Sequence, residues 1–153
     1  MPGDYRCIDE CDVFVTVYWG RLSLVDILDT ISRRMHDPDL PSVKANVIDL
    51  SHATWTEIPP QYIHAELDRL RPAFAPPKVR TIIVAPSEFF YGFARMYALV
   101  QVVYGAAKVD TVRSWKEAAD ALGVDLKAAE SWARSRASSG DDVDVTRRIS
   151  KPI

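Results

Sequence analysis

At 153 residues the chain is long enough for one domain with a core of its own and too short for two domains of ordinary size. Its 48% hydrophobic and 26% charged residues exclude a disordered or fibrous chain. A formal net charge of -2 supplies no field that would draw in nucleic acid or an anionic membrane.

The opening residues, Met1 to Asp4, lack the basic and apolar regions of a signal peptide. No apolar run approaches the roughly 20 residues of a membrane-spanning helix. Cys7 and Cys11 are too few to staple a secreted domain, so the expected compartment is the reducing cytoplasm.

Taken in order, residues 5–10 give a weak strand signal and residues 12–19 a strong one, β-branched and aromatic, with Gly20 as its stop. The short turn between them predicts a hairpin. Ser23 with Asp26 three residues on reads as a capping box, and Leu24, Ile27, Leu28, Ile31 and Met35 mark one buried helical face. Pro38 and Pro41 end that helix. Residues 43–50 read as a buried strand followed by a polar loop, Ser51 to Thr54.

Pro59 and Pro60 open a helix whose apolar stripe is Ile63, Leu67, Leu70 and Phe74. Residues 79–85 form the next strand. Ser87 caps a helix to about Tyr104, with Glu88 at the positive end of its dipole. A last strand over 107–112 leads to Ser114 and Glu117, a capping box for a helix that stops at Gly123. Asp125 caps a short helical extension over 124–136, and the Ser, Gly, Asp and Arg rich stretch 137–153 reads as a mobile tail. The order β-β-α-β-α-β-α-β-α predicts an α/β domain over residues 1–123: a mixed five-stranded sheet with its first strand at an edge and four helices packed on it.

Three stretches carry a resemblance. Val47-Ile48-Asp49-Leu50-Ser51 is similar to a strand ending in Asp-Leu. Tyr91-Gly92-Phe93-Ala94-Arg95-Met96-Tyr97 resembles a Tyr-Gly-Leu-Ala-Arg-Met-Tyr run, and Val112-Arg113-Ser114-Trp115-Lys116-Glu117-Ala118 a Phe-Arg-Asp-Leu-Glu-Glu-Ala run. Together they resemble the SpoIIAA-like family, bacterial relatives of the STAS domain that are similar in fold to CRAL-TRIO lipid-binding domains. Val112 departs from the family's phenylalanine and Ala121 from its common tryptophan. The resemblance implies a non-enzymatic module that holds a small amphipathic or lipid-like ligand, or else a STAS-like regulatory protein-interaction domain. In the second reading the contact surface runs over residues 51–60 and the exposed face of the following helix. The phosphorylatable serine of STAS antagonists has no counterpart, because Glu57-Ile58-Pro59-Pro60 occupies that turn and Thr54 and Thr56 read as helix caps.

Ligands in open α/β sheets gather at the carboxyl ends of parallel strands. Asp49, Ser51 and His52 end one strand, and Pro86-Ser87 and Arg113-Ser114 end the next two, with Arg113 as charge partner for an anion or a polar head. The aromatic helix around residue 90 adds apolar walls. Tyr62, Phe90, Tyr91, Phe93, Arg95 and Tyr97 are therefore expected to line a pocket between the two central helices. Inside that segment Arg95 calls for a carboxylate, a carbonyl or a ligand, with Asp49 or Glu88 as the intramolecular partner.

Neighbours such as Asp49, Ser51 and His52 cannot converge as a hydrolytic triad, and no Gly-x-Ser-x-Gly elbow exists. Cys7-x-x-x-Cys11 with the scattered His36, His52 and His64 completes no zinc site, so no metal and no cofactor is expected. The same aromatic helix is apolar around most of its circumference. Either the segment after Leu126 folds over it, with Ala129 and Trp132 on one face, or a homodimer covers it.

Overall fold

The computed structural model describes residues 2–35, 45–56, 80–103 and 108–149. Strand β1 (Gly3–Ile8) and strand β2 (Val13–Leu22) form an antiparallel hairpin, with Gly3 opposite Tyr18 and Ile8 opposite Val13. Asp12 closes the turn at φ 55, in the left-handed region that aspartate tolerates. Strands β3 (Ala45–Thr56), β4 (Arg80–Val84) and β5 (Val109–Val112) add in parallel, so the sheet runs β1-β2-β3-β4-β5. The mixed five-stranded sheet with β1 at an edge is the architecture that the hydrophobic pattern predicts.

The β2 strand is buried at every position from 13 to 19, as a strand flanked by partners and covered on both faces must be. Its alternation sorts the core into two layers. On one face Val15, Val17 and Trp19 pack with Val47, Ile82 and Val84 against helix α3 (Trp115–Leu122) and helix α4 (Lys127–Ile149). On the other, Tyr18, Leu22, Leu50 and Ile83 meet Phe90 and Ala94 of helix α2 (Glu88–Val103) and Ile27 of helix α1 (Leu24–Met35). The helix expected from Pro59 onward lies outside the described residues.

The caps form as the sequence predicts. Ser23 and Asp26 exchange bonds at the start of α1, the backbone N–H of Phe90 donates to Ser87 Oγ, and that of Glu117 donates to Ser114 Oγ. Gly123 ends α3 at φ 66, with its N–H on the Ala119 carbonyl.

Three expectations are corrected. Gly20 does not stop β2: it takes φ +67 at a register shift, and the strand continues to Leu22. That continuation gives residues 51–56 a pairing partner, His52 opposite Trp19 and Thr56 opposite Leu22, so the expected polar loop is strand. The C-terminal helix runs through residue 136 to Ile149.

Small residues explain that last difference. Ala129 and Ala133 are fully buried against the sheet, and Gly140 lies so close to the Trp19 ring that a side chain there would collide with it. Arg136 stands 4.9 Å over the same ring and pairs with Asp4 at 2.6 Å. The α4 helix thus covers the face opposite α2, so its described residues are not the cover for the aromatic helix. Phe89 on α2 remains 57% exposed.

Candidate functional site

The cleft follows from unequal strand lengths. β4 ends at Val84, opposite Asp49, and beyond that row β3 pairs with β2 alone. Ser51 and His52 therefore stand past the end of β4, while the chain leaves β4 at Pro86 and β5 at Arg113 and Ser114. Glu130 and Arg134 of α4 close the remaining side. The result is an open cleft of about 210 Å³ with Trp115 in its lining.

Asp49 anchors this edge from beneath. It is fully buried, and an isolated carboxyl at such depth is costly unless it is bonded. Its Oδ1 accepts the Ser51 backbone N–H at 2.9 Å, and its Oδ2 accepts the Trp115 indole N–H at 3.3 Å. His52 Nε2 lies 3.8 Å from the same Oδ2. One side chain thus fixes the extension of β3 and the first residue of α3.

Two cations flank the cleft, each with a carboxylate at hand. Arg113 donates through Nη1 to Glu88 Oε1 at 2.6 Å, and its guanidinium lies 3.9 Å over the Tyr91 ring. The bond to Glu88 raises the Arg113 pKa above its already high ordinary value, so its charge is permanent. Arg134 donates through Nη2 to Glu130 Oε1 at 3.0 Å. Glu117 receives the Arg113 backbone N–H at 2.8 Å and completes the cap of α3. Chemically the arrangement offers guanidinium and hydroxyl donors beside an indole and a proline ring.

Of the residues expected to bind a ligand, the structure brings Asp49, Ser51 and Arg113 together here. Tyr91 joins them through its ring contact with Arg113. The others are drawn out along α2. Phe90 is buried among Ile83 and Ala85 and serves the core, and Phe93 meets it edge-on with ring centroids 6.3 Å apart. Arg95 is exposed and stands 5.9 Å from the Tyr91 ring centre, so it needs neither Asp49 nor Glu88, which the sequence reading offered it. Tyr97 lies on α2, and Tyr62 lies outside the described residues, as does most of the surface of the regulatory reading, 57–60 and the helix after it.

The sequence places His52 at the same strand end as Asp49 and Ser51, but it does not point to Trp115, Glu130 or Arg134. Arg134 falls in the helical extension, and only the three-dimensional arrangement joins it to the cleft. Among the described residues no group of His, Cys, Asp and Glu is arranged to hold a metal ion, and no helix is long and apolar enough to cross a membrane.

No family model matches the chain, and no curated protein matches it. Among solved structures it is similar to an uncharacterised protein of the DUF3478 family with a SpoIIAA-like fold from Shewanella loihica PV-4. The two are 13% identical with a TM-score of 0.43, and the match covers 77% of this chain and 90% of that one.

Proposed function

We propose that the chain is a non-enzymatic binding module that holds a small amphipathic molecule in the cleft over Trp115. The observation that carries this reading is the convergence of Ser51, Arg113, Ser114 and Arg134 around an indole whose position a buried carboxyl fixes. Apolar contact from Trp115 and Pro86 suits the body of such a ligand, and the donors suit its polar end. The volume narrows the class. About 210 Å³ falls short of the roughly 300–1,000 Å³ of drug-sized sites, which favours a small metabolite or head group over a lipid tail. The polar groups already serve the fold: Ser114 caps α3, and Asp49 holds Trp115. Such commitments favour holding a ligand over transferring its protons.

The test uses the full chain labelled with 5-fluorotryptophan, whose four resonances are assigned by single Trp→Phe variants. The small-molecule fraction of a cell extract is expected to shift the Trp115 resonance and leave that of Trp19 in place. An unmoved Trp115 resonance would count against the cleft as the site.

A further inference from the structure

Resting on the cleft reading, we propose that the ligand's polar end is an oxyanion, a phosphate or a carboxylate, held between Arg113 and Arg134. Four of the described arginines divide by how tightly they are held. Arg80 gives Nε and Nη2 to Asp110 and Nη1 to the Ala121 carbonyl. Arg136 is only 21% exposed, pinned to Asp4 and to the Trp19 ring. These two are structural.

Arg113 and Arg134 are held differently. Their side chains are 39% and 68% exposed, and each gives one N–H to a carboxylate. A guanidinium carries five N–H donors in a planar fork that matches two oxygens of an oxyanion. Their partners are also accessible, Glu88 at 87% and Glu130 at 36% exposure. Exposed ion pairs of this kind add little to stability, so an incoming oxyanion can replace the carboxylates without unfolding anything. Stacking on Tyr91 meanwhile keeps the plane of Arg113 fixed while its partner changes. The Ser51 hydroxyl is exposed at the same edge, and the Ser114 hydroxyl, which accepts from Glu117, still has its own proton to donate.

This makes Glu130 a competitor for the site, which gives the inference a signature that simple charge attraction at a distance lacks. Calorimetric titration of the full chain at low ionic strength with hexyl phosphate, hexanoate and hexyltrimethylammonium separates the possibilities. Both anions are expected to bind and the cation not to. Arg113→Gln and Arg134→Gln should each weaken the anions about tenfold, the loss of one charge-assisted contact. Glu130→Gln should tighten them, and Lys116→Gln, exposed on α3 and outside the cleft, should change nothing. Binding of the cation with a shifted Trp115 resonance and no binding of the anions overturns the oxyanion and leaves the cleft reading standing. Anion affinity indifferent to both arginine variants also overturns it. Failure of all three probes to bind or to move Trp115 removes the inference and the cleft reading together.

Discussion

The indole N–H of Trp115 donates to the buried carboxyl of Asp49 across 66 residues of sequence, and it ties the middle of β3 to the first residue of α3. Removing the carboxyl strands one buried donor, the indole N–H, and one half-buried donor, the Ser51 backbone N–H. Asp49→Ala is therefore expected to cost about 2 kcal/mol or more in urea unfolding. Asp49→Asn, which keeps an acceptor oxygen, should cost less. A double-mutant cycle with Trp115→Phe should return a coupling of about 1–3 kcal/mol. A coupling near zero would mean that the contact does not organise this edge.

Two glycines in helix interiors should respond oppositely to the same change. At Gly92 a methyl meets nothing, and alanine is the better helix former, so Gly92→Ala should stabilise by about 0.5–1 kcal/mol. At Gly140 the methyl would drive into the Trp19 ring, so Gly140→Ala should destabilise in spite of its helix propensity. Thermal melts of the two variants give the signs. A stabilised Gly140→Ala would show that α4 does not sit on Trp19.

Ending the chain at Gly123 should expose the part of that face which α4 covers, where Val15, Val17 and Trp19 lie under Leu126, Ala129 and Ala133. Each such side chain returned to water forfeits about 1.5–3 kcal/mol, and few domains have more than about 5–15 kcal/mol in total. The shortened chain is expected to lose its cooperative unfolding transition by circular dichroism. A shortened chain that melts as sharply as the full one would contradict the packing of α4.

Both cysteines should react sluggishly. Burial raises the thiol pKa of Cys7, with Asp9 and Asp12 adding to it. Burial also raises that of Cys11, against the Val13 backbone bond that pulls the other way. A raised folded-state pKa favours the neutral thiol, so the contribution to stability is complete below the unfolded value of about 8.5 and fades as pH rises through the alkaline range. Iodoacetamide at pH 8 is expected to label the folded chain more slowly than the chain in urea. Equal rates would show that the thiols are not shielded.

The sheet was legible because its signals are local. The β-branched run through Val17, the Ser23 and Ser114 caps and Gly123 each fix an element without help from elsewhere. The edge of β3 was not, because pairing decided it: a polar Ser51 to Thr54 stretch reads as loop until Leu22 is found opposite Thr56. The C-terminal helix was misjudged for a related reason. Gly140 and the serines around it look like a tail, whereas the missing side chain of Gly140 lets α4 lie close against Trp19.

The site was legible by halves. Strand-end position singled out Asp49, Ser51 and Arg113, and topology brings them together. Aromatic content singled out Phe90 and Phe93, but helical phase turns Phe90 into the core. No local pattern could relate Arg134 to Arg113, since only the return of α4 across the sheet makes them neighbours of one cleft.

The most direct test of the central claim is a map of backbone amide shifts in the full chain at saturation with hexyl phosphate. The cleft reading predicts that the largest changes fall on Ser51, His52, Arg113, Ser114 and Arg134, with the Trp115 indole proton moving alongside them. Changes that instead follow α2 through Phe89, Phe90 and Phe93, leaving Ser114 and Trp115 unmoved, would contradict it.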